Sequence, residues 1–124
     1  MKAGVQHEVP LSDRALELLH KQQEIGSHLV FPSIRGKILS DMFLTQFLRR
    51  HKAKSDDPDR FAVAHGFRSS FRNWASENAY SRDLAERALA HTIKDKTESA
   101  YHRTNLLEER RPMMQKWADF LAAP

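Results

Sequence analysis

Apolar side chains recur along most of the chain at intervals of three or four residues, a spacing typical of amphipathic helices. The first such stretch covers residues 13–24, with Ser12 as its N-cap and Gly26 as its stop signal. Ser40 and Ser81 are N-cap candidates for two later stretches. The same pattern predicts further helices over residues 41–52, 66–78, 82–90, 95–101 and 105–122.

A few segments depart from this helical spacing. Residues 28–32 form a short apolar run ending in proline, which favours a strand or extended connection followed by a turn over residues 33–37. Residues 6–10 alternate polar and apolar like the end of a strand, whereas residues 54–59 indicate a polar surface loop. The predicted fold class is therefore mainly α, a single domain over residues 1–124 with a short β-strand remnant at the N-terminus.

The last predicted helix contains two competing signals. Asn105 and Glu108 have the spacing of a capping box, which favours a helix start at that point. Pro112 lacks a backbone N–H and, inside a helix, predicts either a kink or a restart. The sequence leaves those two outcomes open.

Composition narrows the class of protein. The chain has 124 residues, 40% of them hydrophobic and 29% charged, which is typical of one folded domain. The absence of cysteine excludes a disulfide scaffold, a thiolate metal site and a cysteine nucleophile. No apolar run is long enough for a membrane span, so a cytoplasmic location is expected. The net charge of +4 favours polyanionic partners only weakly.

Two predicted helices combine a packing face with basic residues. Residues 43, 44, 47 and 48 are apolar and expected to face inward, and the basic residues 49–52 that follow either complement the helix dipole or contact DNA phosphates. On the later helix, Phe67, Phe71 and Trp74 share one face and are expected to anchor the core. Arg68 and Arg72 share another face of that helix.

Four residues in three separated segments carry the candidate chemistry. His65 and Arg68 lie at the start of a predicted helix, where both could face one anionic group near its positive end. On its own, such a histidine is more often a cap or a buried structural residue. His91 closes the next helix, and Tyr101 follows ten residues later. No paired metal-ligand spacing or glycine-rich phosphate loop occurs, so no metal and no cofactor are expected.

In this order, the motif resembles the C-terminal catalytic half of the tyrosine recombinases, the phage integrase family, in the form found in prophages and genomic islands. Nearly the whole chain takes part in the resemblance. Its most specific segments are residues 64–75 (AHGFRSSFRNWA), 89–91 (LAH), 100–101 (AY) and 109–118 (ERRPMMQKWA). Residues 1–12 are similar to the end of that family's small β-sheet, and Lys2 falls at the position of its β-turn lysine.

The resemblance implies a DNA breaking and rejoining reaction without metal or nucleotide. Tyr101 would be the nucleophile that forms a 3′-phosphotyrosine link, and Arg68 would bind the non-bridging phosphate oxygens. His65 and His91 would hydrogen-bond the phosphate or move the tyrosine proton, while Lys2 would protonate the leaving oxygen. Additional DNA-phosphate contacts are expected from basic side chains at four positions: Arg72, Lys94, Lys96 and Arg103.

The resemblance also implies partners and a further catalytic residue. Double-stranded DNA attachment sites are the expected substrate, and the C-terminal helix is expected to dock on other protomers. The family uses another arginine in an Ala-Arg-Thr-Gly-like segment, and these 124 residues contain no such segment. The chain is therefore expected to be the C-terminal portion of the catalytic domain, without the core-DNA-binding domain and with little cleavage activity alone.

The sequence leaves two alternative functions open. One is a non-catalytic DNA-binding remnant that keeps the phosphate contacts but performs no chemistry. The other is a protein-interaction module, which would show no salt-dependent affinity for DNA.

Overall fold

A computed structural model describes residues 6–91 and 105–123 of the chain. Within these ranges the fold is mainly helical, as the sequence predicts, and regular sheet is absent apart from two isolated bridges. The described helices are α1 (Asp13–Gln23), α2 (Phe43–Arg50), α3 (Gly66–Glu77), α4 (Arg82–Ala88) and α5 (Leu107–Ala122). The helix predicted for residues 95–101 lies outside the described residues.

The chain divides into two compact units. We call Met1–Leu16 together with Phe71–Pro124 the core unit, and Glu17–Ser70 the central unit. All large buried apolar side chains of the described residues belong to the core unit. Among residues 17–70, no side chain is fully buried.

Aromatic rings form the centre of the core unit. The indole of Trp117 lies 5.1 Å from that of Trp74 and meets the ring of Phe71 edge-on at 5.5 Å, measured between ring centroids. Edge-on and tilted contacts at this distance are favoured by the ring quadrupoles. The buried apolar side chains of this cluster come from three helices: Phe71, Trp74 and Ala75 of α3, Leu84 and Ala85 of α4, and Met113 of α5.

A buried arginine joins the N-terminal segment to the C-terminal helix. Arg110 of α5 is only 1% exposed, and its Nη2 donates a hydrogen bond of 2.9 Å to the carbonyl oxygen of Glu8. Nearby, the backbone N–H of Asp13 donates to Oε1 of Gln115 at 2.9 Å. The start of α1 is therefore held against α5, which explains the burial of Ser12 beside it.

Two of the three predicted serine caps are confirmed. The hydroxyl of Ser12 accepts from the N–H of Ala15 at 3.3 Å, and that of Ser81 accepts from Leu84 at 3.2 Å. The Ser40 cap is wrong, because α2 begins at Phe43 after Met42, and Ser40 instead contributes its carbonyl oxygen to a preceding turn.

At the C-terminal helix, the predicted capping box is wrong, and of the two outcomes predicted for Pro112 the restart does not occur. Oδ1 of Asn105 accepts from the N–H of Leu107 two residues later, at 3.1 Å, so it forms a local turn instead of capping the third helical N–H. Leu106 takes the N-cap position in a left-handed conformation with φ of 49°. Helix α5 then continues through Pro112 without a restart.

Three expectations about packing and strands need correction. Residues 6–10 form no strand, because no described segment pairs with them. Phe67 is 57% exposed although Phe71 and Trp74 on the same helix are buried, so the predicted aromatic face is buried only toward its C-terminal end. Phe43, Leu44 and Phe47 of α2 are also exposed and do not form an inward face.

The central unit contains the predicted turn and loop. The N–H of Ser33 donates to the carbonyl of Lys37 at 2.8 Å, and Gly36 adopts a φ of 69° that glycine tolerates without strain. An isolated bridge between Lys54 and Phe61 closes the polar loop. Both elements agree with the interpretation of the sequence.

Candidate functional site

The His-x-x-Arg motif lies on the first turn of α3. Because the helix begins at Gly66, His65 directly precedes it and Arg68 belongs to its first turn. The N–H of Arg68 donates to the carbonyl of His65 at 3.1 Å, which ties the two residues together through the backbone. His65 is exposed and Arg68 is half-buried. The two side chains thus lie at the positive end of a helix, where anions bind favourably.

The segment before His65 is anchored to α2 within the central unit. The N–H of Ala64 donates to Oγ1 of Thr45 at 3.4 Å, and the N–H of Gly66 donates to the carbonyl of Val63 at 2.9 Å. These contacts define the entry into α3, and with it the position of His65.

His91 is positioned by the way α4 ends. The helix closes with a Schellman motif, in which Ala90 donates to the carbonyl of Arg87 at 3.1 Å and His91 donates to the carbonyl of Glu86 at 3.0 Å. Ala90 adopts the left-handed conformation of this motif, with φ of 53°. Leu89 is the C-cap, so His91 stands two residues beyond it, above the last turn of α4.

Glu86 contacts three side chains around this helix end. Its Oε2 is hydrogen-bonded to Nδ1 of His91, while its Oε1 lies 3.2 Å from Nη2 of Arg72 on α3. Arg82 approaches the same Oε1 at 3.7 Å through its Nε. Glu86 therefore joins α3, α4 and His91 within the core unit.

The charges around Glu86 keep its carboxylate ionised. The hydrogen bond from His91 is the main cause that holds the pKa of Glu86 below its ordinary value, and the charges of His91, Arg72 and Arg82 act in the same direction. Burial opposes this shift. Arg82 is 84% exposed and contributes less than Arg72, which is 31% exposed, because solvent screens exposed ion pairs.

Arg110 supports the same helix end from the other side. Its Nη1 lies 3.5 Å from the carbonyl oxygen of Arg87, one of the acceptors in the Schellman motif. Burial lowers the pKa of Arg110, but an arginine remains protonated at neutral pH. The last turn of α4 is thus held by its own backbone and by a buried charge on α5.

Comparison with known proteins decides what these motifs belong to. Residues 1–108 match the phage integrase family. The chain belongs to this family. The match includes both the His-x-x-Arg motif on α3 and the histidine that follows α4.

Several integrases of enterobacteria and their phages are similar to this family member over almost all of its length. Prophage integrase IntA of Escherichia coli K12 is 36% identical over 99% of the chain and 30% of its own length. The integrase of Enterobacteria phage P4 is 36% identical over 98% of the chain and 28% of its own length. Prophage integrase IntZ of E. coli K12 is 38% identical over 96% of the chain and 29% of its own length.

The chain therefore spans less than a third of the length of these curated relatives. No solved structure is significantly similar to it.

The structure brings some predicted site residues of this integrase-family chain together and leaves others undescribed. His65 and Arg68 share the start of α3, and Arg72 is connected to His91 through Glu86. The remaining predicted positions lie outside the described residues: Lys2, Lys94, Lys96, Tyr101 and Arg103. Within residues 6–91 and 105–123, no three acidic, histidine or cysteine side chains form a group suited to a metal ion, and no helix is long and apolar enough to cross a membrane.

Sequence reasoning missed Glu86. The signal that could have found it is the predicted end of α4, because a Schellman motif brings the third helical residue from the end next to the second residue beyond the C-cap. Those positions are Glu86 and His91. In Schellman motifs an apolar contact frequently joins these positions, whereas here the pair is a carboxylate and an imidazole.

Proposed function

We propose that this chain supplies most of the catalytic residues of a tyrosine recombinase, which breaks and rejoins DNA at specific sites through a covalent 3′-phosphotyrosine intermediate. The observation that carries the proposal is the family match over residues 1–108, because that range includes all five predicted catalytic positions. The placement of His65 and Arg68 at a helix N-terminus supports it, since such an end attracts a phosphate.

In the proposed reaction, the hydroxyl oxygen of Tyr101 attacks a phosphodiester of DNA. A bond forms between that oxygen and phosphorus, the bond to the 5′-oxygen breaks, and the strand ends in a free 5′-hydroxyl. A 5′-hydroxyl of another strand then attacks the phosphotyrosine, which releases the tyrosine and restores a phosphodiester. Because the phosphoester bond is preserved in the intermediate, no external energy source is required.

Each remaining residue has a role suited to its chemistry. Arg68 offers a planar, permanently charged group to the non-bridging oxygens, where charge increases in the transition state. His65 and His91 hydrogen-bond the phosphate or accept the tyrosine proton, and Lys2 donates a proton to the leaving 5′-oxygen. Removing Arg68 would lower the cleavage rate by about a hundredfold or more.

The proposed partners are double-stranded DNA in the cytoplasm and other protomers bound to the same DNA. Phosphate contacts would come from four basic side chains: Arg72, Lys94, Lys96 and Arg103. Arg72 already pairs with Glu86, yet a guanidinium has five N–H donors and can serve a phosphate as well. The end of α5 presents exposed Phe120 and Leu121, which suits the proposed docking on a second protomer.

A chimeric integrase tests the nucleophile. The upstream part of the phage P4 integrase is joined to this chain, which replaces the C-terminal part it matches, and covalent protein–DNA adducts are measured on the DNA sites of that integrase. Tyr101→Phe is expected to abolish the adduct. Tyr80→Phe is the matched control, because Tyr80 is the only other tyrosine in the chain and packs against the core. Adducts that persist in Tyr101→Phe would exclude Tyr101.

The alternative function is non-catalytic DNA binding, in which basic side chains such as Arg68 and Arg72 contact phosphates but no strand is cut. The chimera separates the two functions, because it restores the upstream part of a relative. Salt-dependent DNA binding without any adduct would support the alternative. The 124-residue chain alone is expected to form little or no adduct.

A further inference from the structure

We propose that Glu86 is a positioning residue for His91: its carboxylate fixes the orientation and the tautomer of the imidazole, so that Nε2 is the nitrogen available to the reacting phosphate and tyrosine. This inference deepens the proposed function and rests on it for its catalytic part. Its structural part, the state of the His91 ring, can be tested without any recombination.

Two parts of Glu86 hold His91. The backbone carbonyl of Glu86 accepts the N–H of His91 at 3.0 Å, and the side-chain Oε2 is hydrogen-bonded to Nδ1 of the ring. The Schellman motif fixes the first contact, and the second restricts rotation of the ring. A histidine held at both its backbone and its ring has far less freedom than an ordinary exposed side chain, although half of the His91 side chain remains accessible.

The chemistry of the pair dictates the tautomer. An ionised carboxylate can only accept hydrogen bonds, so Nδ1 of His91 must carry the hydrogen. In the neutral ring, Nε2 then has a free lone pair and can accept a proton from a tyrosine hydroxyl. In the protonated ring, Nε2 donates to a phosphate oxygen while the carboxylate compensates the positive charge. In both states the hydrogen on Nδ1 is bound by Glu86, so Nε2 is the nitrogen left for the phosphate or the tyrosine.

The two carboxylate oxygens of Glu86 contact different side chains. Oε1 faces Arg72 at 3.2 Å and Arg82 at 3.7 Å, which leaves Oε2 for His91. The guanidinium of Arg72 is the better-buried of the two and extends from α3, so it fixes the carboxylate from a second helix. The same contacts hold the pKa of Glu86 below its ordinary value, which keeps it an acceptor. Arg72 therefore acts on His91 through Glu86.

A purely structural role for Glu86 makes a different prediction. If Glu86 only linked α3 and α4, its removal would lower stability but leave the remaining His91 ring in the same state. Asp83 provides the matched control, because its carboxylate forms an ion pair with Arg87 on the same helix, at 2.9 Å. Asp83→Ala thus removes a different carboxylate of α4, the one paired with Arg87, and leaves Glu86 and His91 in the chain.

The first experiment records the nitrogen chemical shifts of the His91 ring by NMR on the 124-residue chain, at about pH 8, where an ordinary histidine is neutral. The unsubstituted chain and Asp83→Ala are expected to show the tautomer with hydrogen on Nδ1. Glu86→Ala is expected to show hydrogen on Nε2 in a large share of molecules. Glu86→Gln keeps the size of the side chain and is expected to shift in the same direction, since its amide can donate to Nδ1. An unchanged tautomer in both Glu86 variants would overturn the proposal.

The second experiment measures adduct formation in the chimera described above. Glu86→Ala is expected to slow cleavage about tenfold or more, the size of effect seen when the hydrogen-bond partner that orients a metal-binding histidine is removed. In a His91→Ala background the same substitution should have no further effect, because there is no ring left to position. Asp83→Ala should leave the rate unchanged. Equal losses with and without His91 would contradict the proposed pairing.

The two experiments separate the two proposals. If the unsubstituted chimera forms no adduct, the proposed function fails, and the NMR result still decides whether Glu86 fixes the His91 tautomer. If the chimera is active but Glu86→Ala leaves both the tautomer and the rate unchanged, only the positioning role fails.

Discussion

Nη2 of Arg110 donates a hydrogen bond of 2.9 Å to the backbone carbonyl of Glu8, a residue 102 positions earlier in the chain. The guanidinium also reaches the carbonyl of Arg87 at the end of α4, and its Nε has no hydrogen-bond partner among the described residues. A buried charge with incomplete partners is costly unless the surrounding contacts require it. Here it connects the N-terminal segment, α4 and α5.

Replacing Arg110 should therefore test how much this connection stabilises the core unit. Arg110→Ala is expected to lower the free energy of unfolding by about 2–4 kcal/mol, because it leaves a cavity and removes the side-chain donor to the carbonyl of Glu8. Arg111→Ala, one residue later and exposed with a partner at Glu108, should change it by less than about 0.5 kcal/mol. Urea denaturation of both variants measures the difference, and equal effects would contradict the role of Arg110.

The left-handed backbone conformation of Ala90 predicts that glycine at this position stabilises the fold. Its φ of 53° is unfavourable for alanine but acceptable for glycine. Ala90→Gly should raise the free energy of unfolding by about 0.5–1 kcal/mol, after allowing for the greater entropy of glycine in the unfolded chain. Ala88→Gly, within α4, should lower it by about 1 kcal/mol. Thermal unfolding distinguishes the two, and a loss of stability in Ala90→Gly would count against the left-handed assignment.

Two phenylalanines on α3 offer a matched test of the core. Phe71 is 5% exposed and contacts both Trp74 and Trp117, whereas Phe67, one turn earlier, is 57% exposed. Phe71→Ala is expected to lower the free energy of unfolding by about 3–5 kcal/mol. Phe67→Ala should lower the free energy of unfolding by less than about 1 kcal/mol, because the Phe67 side chain buries little apolar surface in the folded chain. Denaturant midpoints of the two variants provide the comparison, and a similar loss in both would show that the aromatic face is buried along its whole length.

The lowered pKa of Glu86 predicts a pH dependence of stability. A carboxyl group whose pKa is lower in the folded state stabilises the fold when ionised, and this contribution is lost as the pH falls from about 4.3 through its folded value. The hydrogen bond from His91 is the main cause, with Arg72 and Arg82 adding to it. Glu86→Gln should therefore be less stable than the unsubstituted chain at pH 5.5, and the difference should decrease toward pH 3.

Denaturation at both pH values tests this expectation. Glu77→Gln is the control, because Glu77 is an exposed carboxylate at the end of α3. If the stability difference between Glu86→Gln and the unsubstituted chain stays constant between the two pH values, the contacts of Glu86 do not lower its pKa in the folded state.

The sequence predicted the parts of the fold that depend on local physics. The stretches that became α1, α3 and α4 have a helical repeat with a serine or glycine at the boundary, and a hydroxyl in the right place caps a helix wherever that helix is packed. Ser40 also stands at a predicted helix boundary, but it does not cap α2, because that helix begins at Phe43 with Met42 as its N-cap. The exposure of Phe67 could not be predicted either, since burial depends on which distant segment covers a face.

The candidate site was predictable to a similar degree. His65 and Arg68 belong to one short motif, so their common helix end follows from the sequence. The contact between Glu86 and Arg72 joins two helices and depends on how α3 and α4 pack, which no spacing along the chain specifies. Glu86 and His91 lie between these cases, because a correctly recognised helix ending would have paired them.

The hydrogen bond between Arg110 and Glu8 has a consequence for biosynthesis. A ribosome adding about 5–20 residues per second needs about 5–20 s to make the 102 residues that separate the two partners. Trp117, whose indole contacts both Phe71 and Trp74, is made later still. The core unit can therefore assemble only after Trp117 has been synthesised, and until then the segment around Glu8 and the aromatic rings of α3 depend on chaperones or on transient contacts to avoid aggregation.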